Sequence, residues 1–107
     1  MFCKNGTAEK KELVEGVQMS TLVHGEKTLM GHFNLAKGAA IPPHSHPHEQ
    51  TGFMVSGKMR FKIEGEVIEA VTGDSWCIPG DVEHSAEALE ESVAIEMFSP
   101  VREDYLP

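Results

Sequence analysis

Apolar and polar residues alternate along most of the chain, and turn residues keep interrupting the alternation. The clearest run is Met59-Arg60-Phe61-Lys62-Ile63, whose apolar side chains share one parity while the cations take the other. Successive side chains of a strand point to opposite faces, so this run predicts a half-buried β-strand. Leu29, Gly31, Phe33 and Leu35 hold one parity of a second strand, Thr28 to Leu35. The hairpin signal His24-Gly25-Glu26-Lys27 joins it to β-compatible residues within Leu13 to His24. Thr51 to Ser56, Val67 to Val71, Ser75 to Ile78, His84 to Ala88 and Ser92 to Phe98 are further short strand-like runs. Lys37-Gly38, Gly57-Lys58, Glu64-Gly65-Glu66, Thr72-Gly73-Asp74 and Pro79-Gly80-Asp81 punctuate them. No segment sustains a helical period; Glu83 to Glu91 comes nearest. Short strands separated by frequent turns predict an all-β sandwich or barrel.

Length sets the domain organisation. The 107 residues read as one domain, a barrel over about 13–98 between terminal arms at 1–12 and 99–107. The first arm reads as a polar tail or one loose turn, whereas Tyr105 and Leu106 predict that the second docks on the barrel. A chain this long buries roughly two-thirds of its unfolded surface and needs no disulfide. Cys3 and Cys77, 74 positions apart, fit two reduced thiols better than a bridge. No run approaches the ~20 apolar residues of a membrane span, and the N-terminus has no signal-peptide core, so the cytoplasm is expected. The formal net charge of −8 offers no basic footprint for nucleic acid. It also repels anions, so an acidic ligand would need local positive charge from a metal or an arginine.

Candidate chemistry concentrates in one stretch, His44-Ser-His46-Pro-His48-Glu49-Gln50. His44 and His46 are two positions apart and would share one face of a strand; Gln50 has the same parity, although Pro47 is able to bend the strand. His84 follows the Pro79-Gly80 turn, and closure of a barrel would set it opposite the first two. Three imidazoles and an amide carbonyl suit a divalent transition metal such as Ni, Zn, Fe or Mn. With no anionic ligand the metal would keep its full charge, favouring Lewis-acid chemistry and anion binding. His48 lies between His46 and Gln50 and reads as exposed, the alternative being a partner that supports a ligand. Trp76 and Cys77 point to opposite faces, so one of them belongs to the core.

These residues resemble the cupin family. Its first motif is a glycine, five residues, His-x-His, three or four residues, an acid, six residues and a glycine; Gly38, His44, His46, Gln50 and Gly57 stand in that register, with Gln50 replacing the usual glutamate. The second is present as Gly73, Pro79, Asp81 in place of a glycine, and His84, with Ala88 where asparagine is usual. The resemblance implies a double-stranded β-helix, or jelly-roll, barrel with one metal in its mouth.

The His44–Gln50 stretch and the end of the chain, Glu96-Met-Phe98-Ser-Pro100-Val-Arg102-Glu-Asp-Tyr105, look like the cupins of pectin degradation. There the residues at the positions of Glu96 (usually aspartate), Phe98 and Arg102 line the pocket beside the metal. That resemblance implies a metal-dependent enzyme opening 4,5-unsaturated uronate monomers to the linear 5-keto-4-deoxyuronate form. The residues admit the same roles: Glu96 as a general acid or base of raised pKa, Phe98 as an apolar wall or plain core, and Arg102 as a bidentate clamp on a sugar carboxylate. The alternatives are a metal-dependent dioxygenase of the quercetinase or pirin-like sort and a non-enzymatic metal- or sugar-binding cupin. Many cupins of this size are homodimers, and an exposed edge strand near Val14–Val23 would give a physical reason to pair.

Overall fold

Ten strands carry the chain from Lys11 to Ser99: β1 (Lys11–Val14), β2 (Val17–His24), β3 (Leu29–Leu35), β4 (Ala40–His44), β5 (Glu49–Ser56), β6 (Lys58–Ile63), β7 (Glu66–Val71), β8 (Ser75–Ile78), β9 (His84–Ala88) and β10 (Ser92–Ser99). The computed structural model describes residues 1–107. The strands pair antiparallel in two sheets, ordered β1-β2-β3-β10-β5-β8 and β4-β9-β6-β7. The last strand, β10, lies between β3 and β5, the long-range crossover of a jelly roll.

The alternation read from the sequence decides which faces meet. Leu29, Gly31, Phe33 and Leu35 are buried in turn along β3 while Met30, His32 and Asn34 between them are half-exposed. Met59 and Phe61 enter the core from β6, with Ala70, Ala86 and Ala88 beside them in the smaller sheet. Val17, Met19, Met54 and Phe98 meet them from the larger one. Burial of a side chain such as Leu29 or Phe61 stabilises by about 1.5–3 kcal/mol, so this layer carries the fold. Outside it, Arg60 pairs with Glu69 at 3.1 Å and Glu87 at 3.7 Å. Pairs as exposed as these contribute about 0–1 kcal/mol.

Three expectations change. Residues 1–12 are not all tail, because Lys11 and Glu12 already belong to β1, which pairs with β2. That pairing reaches only Val17–Met19 of β2, so Lys11–Val14 covers the start of the edge expected near Val14–Val23, and from Ser20 to His24 β2 has no strand on its outer side. The helix-like stretch Glu83–Glu91 is strand β9 and a turn, because Ala86 and Ala88 fill core positions opposite β6. The only helical element is a single 3-10 turn at Glu103–Tyr105, and no helix is long and apolar enough to cross a membrane. Cys3 and Cys77 are free thiols, as expected.

The C-terminal arm docks, as Tyr105 predicted. Lys11 Nζ donates to the Asp104 carbonyl at 2.8 Å, and the Thr21 hydroxyl donates to that of Tyr105. The Tyr105 ring meets Phe98 and Phe33 edge-on, with centroids 5.4 and 6.2 Å away. The arm thereby closes one side of a cavity of ≈ 290 Å³ in the barrel mouth.

Candidate metal centre and active site

Two loops bring the histidines together. Strand β4 ends at His44, and residues 45–48 lie outside any strand before β5 begins at Glu49. The shared strand face expected of His44, His46 and Gln50 is therefore not what assembles them: His46 sits in the crossover between the sheets and Gln50 in the other sheet. Pro42, Pro43 and Pro47 make this break natural, since proline cannot donate to a ladder. The second loop pins the first. Asp81 N–H donates to the His46 carbonyl at 2.7 Å, and a Cβ on Gly80 would overlap the Pro47 carbonyl. Asp81 holds a left-handed φ of 64°, the conformation that explains a glycine there and that aspartate tolerates. His84 then opens β9 in register with His44.

The three rings converge as a ligand set. Ligand nitrogens of His44, His46 and His84 lie within 4.8 Å of one another. Each Nδ1 faces a backbone carbonyl: His44 that of Pro42 at 2.9 Å, His46 that of His48 at 3.0 Å, and His84 that of Val82 at 2.8 Å. A carbonyl only accepts, so each ring carries its proton on Nδ1 and turns a bare Nε2 lone pair elsewhere. Backbone partners of this kind fix the tautomer of metal-binding histidines.

The fit to a cation rests on two contacts. His84 Nε2 is buried and has no partner. His46 Nε2 lies 3.0 Å from Gln50 Oε1, whose amide nitrogen donates to Glu96 Oε2. Two acceptors thus face each other, an arrangement a bound cation resolves. Burial, and then the Arg102 charge, holds His46 below the usual histidine range; burial first also lowers His84. Neutral rings are the form that binds metal. His44, His46, His84 and Gln50 would hold one divalent ion.

Glu96 adjoins this centre from β10. It is 6% exposed, and Oε2 accepts from Gln50 and from Trp76 Nε1, the latter at 3.1 Å. Burial pushes its carboxyl above the ordinary range, against the opposing pull of those donors and of Arg102. Phe98 is both of the things expected of it: fully buried, and part of the cavity wall, with its ring 6.0 Å from that of His46. Arg102 lies over the rings of Tyr105 and Phe98, at 4.0 and 5.1 Å, and lines the cavity. It is not free, however: Nε and one terminal nitrogen grip Asp104 at 3.2 and 2.8 Å. A guanidinium has five N–H groups, so three remain. Burial pushes the Tyr105 phenol up to about 12, so it stays protonated at neutral pH.

The model of the cupin domain matches residues 31–99. The chain belongs to the cupin family. This cupin is 35% identical over 98 residues to the pectin degradation protein KdgF of Dickeya dadantii (strain 3937), an alignment covering 90% of this chain and 89% of that one. Among solved structures, KdgF from Halomonas sp. superposes with a TM-score of 0.93 at 31% identity, covering 99% of this chain and all of that one. An RmlC-like cupin from Shewanella frigidimarina gives the same TM-score at 27% identity, covering 98% and 95% of the two chains.

Three features of this cupin's site escaped the sequence reading. Parity leaves Trp76 and Cys77 as alternatives for the core and does not show that the Trp76 indole nitrogen reaches the buried carboxyl group; the clue was Gly52, a glycine inside a strand, which marks a close approach. Asp104 looks like solvated charge until the arm folds back. His48 is half-buried rather than exposed, and serves through its carbonyl, which no side-chain pattern reveals.

Proposed function

We propose that this cupin is a metal-dependent enzyme of pectin or alginate breakdown, opening 4,5-unsaturated uronate monomers to the linear 5-keto-4-deoxyuronate form. One observation carries the reading: two rings of a three-histidine cluster, a buried carboxyl of raised pKa and an arginine line a single small cavity. The similarity to two KdgF proteins supports it. A volume of ≈ 290 Å³ sits at the low end for ligand sites, which suits one sugar ring and not a polymer.

When bound, the metal would supply Lewis-acid charge beside the ring oxygens and help to anchor an anion. The rest follows from the chain's own side chains. Arg102 takes the sugar carboxylate on the N–H groups that Asp104 leaves free. Ring opening breaks the bond from C1 to the ring oxygen; C1 becomes an aldehyde as the anomeric hydroxyl loses its proton. The ring oxygen leaves with the electrons of that bond as an enolate at C5, which gains a proton at C4 and becomes a ketone, so the isomerisation needs neither water nor an oxidant. Glu96 delivers the C4 proton and recovers one from the anomeric hydroxyl. A carboxyl whose pKa is raised by burial is suited to delivering that proton. Phe98 and Phe33 keep water from that side of the ring.

Absorbance of the enol ether tests this. Unsaturated galacturonate, made with a pectate lyase, should lose its ultraviolet band when the metal-loaded protein is added. Chelation or Glu96→Ala should abolish the loss. Undiminished turnover after chelation, or in Glu96→Ala, would overturn the reading.

A further inference from the structure

The geometry points to Trp76 as the residue that positions Glu96, reaching it across a gap left by Gly52; this rests on the proton-transfer role proposed for Glu96. The strand register sets up the contact. Gly52 of β5 pairs with Trp76 of β8 on one side and with Glu96 of β10 on the other, and Glu96 in turn pairs with Gly31 of β3. One row across four strands therefore reads Trp, Gly, Glu, Gly, with a bare backbone on both sides of the carboxylate.

The indole fills the first gap. A Cβ at position 52 would overlap its Cε2, Nε1 and Cζ2 atoms, so Trp76 lies directly over the backbone of β5. Phe61 holds it from the opposite sheet, with ring centroids 4.6 Å apart and planes at 42°. Fixed on two sides, Nε1 donates to Glu96 Oε2 at 3.1 Å. Gln50 donates to the same oxygen. Oε1 takes no hydrogen bond from the protein, and Glu96 lines the cavity, so Oε1 is the oxygen left for the substrate. A glutamate has one more rotatable bond than an aspartate. The two donors on Oε2 remove that freedom, and a misplacement of about 1 Å at a reacting group costs up to ~100-fold in rate.

Trp76 is the only tryptophan, so its indole N–H gives one resonance in a ¹H–¹⁵N spectrum. Glu96→Gln should move that resonance, because the carboxyl oxygen that accepts from the indole is replaced by an amide group. In the metal-loaded enzyme, Trp76→Phe should keep metal content and KM within about twofold while kcat falls about tenfold or more. Gly52→Ala, which displaces the indole but keeps it, should reproduce the kcat loss. An indole resonance indifferent to Glu96→Gln would overturn the contact. Unchanged kcat in Trp76→Phe beside an inactive Glu96→Ala would overturn the positioning role and leave the functional reading standing. Full activity in Glu96→Ala would overturn that reading and this role together.

Discussion

Replacing Gln50 by glutamate, the residue more usual at this place in cupins, should damage this particular barrel. The Gln50 amide nitrogen donates to Glu96 Oε2, which is itself buried. Gln50→Glu puts a carboxylate oxygen where that donor was. Where both carboxyls are ionised, two unit charges about 4 Å apart repel by on the order of 4 kcal/mol at an effective dielectric constant of ~20. Loss of a hydrogen bond to a charged group costs about 1.5–3 kcal/mol more. Against a total stability of roughly 5–15 kcal/mol, that is a large fraction. The folded protein escapes only by holding one proton between the two carboxyls, which restores the bond. The folded carboxyl pKa is then raised above its unfolded value. The variant's stability is full below the unfolded carboxyl pKa and is lost as pH rises through the raised folded value. Thermal melts of the chelator-treated variant and parent between pH 5 and 8.5 measure this. The variant should track the parent near pH 5 and fall below it by on the order of 10 °C or more at pH 8. Divalent metal should return part of the difference by neutralising the new carboxylate. Parallel Tm–pH profiles in the metal-free proteins would refute the Gln50–Glu96 contact.

Three further outcomes follow from the same geometry. Glu96→Gln removes a buried ionisable group whose pKa is raised by burial, so the wild type loses stability relative to this variant as pH rises; the Tm advantage of Glu96→Gln should be larger at pH 8 than at pH 5, and a gap constant with pH would contradict the burial. His84→Ala should keep its far-ultraviolet circular dichroism but lose bound metal, from about one ion per chain to near none by elemental analysis, since it removes one of three converging imidazoles. Asp104→Ala unties two of the five Arg102 N–H groups and frees the guanidinium to swing; KM for the unsaturated uronate should rise several-fold with kcat nearly unchanged, and an unchanged KM would exclude Arg102 as the carboxylate clamp.

The strands were legible where one face of a sheet is wet. β3 and β6 follow their alternation, and turn residues end most strands within a residue or two of expectation. β1 was not legible: Lys11 and Glu12 are exposed, and only pairing with β2 makes them strand. The three histidines that cluster were readable from spacing, but the reason they meet was not. The i, i+2 pattern of His44 and His46 looks like one strand face, whereas the chain leaves β4 between them and the Asp81–His46 bond holds the loop. Glu96 stood out because a carboxylate in an apolar strand needs a partner. Its partners Trp76 and Gln50 lie 20 and 46 positions away and are set by register alone. Arg102 and Asp104 resemble tail charges until Lys11 and Thr21 tie the arm down.

The most direct measurement is a proton NMR time course of unsaturated galacturonate with metal-loaded protein, its Glu96→Ala variant and buffer alone. With wild-type protein the vinyl H4 signal should decay and the linear 5-keto form should build up in step, far faster than in buffer. Glu96→Ala, with its metal retained, should match buffer. A vinyl signal that decays with wild-type protein no faster than in buffer would contradict the ring-opening activity itself.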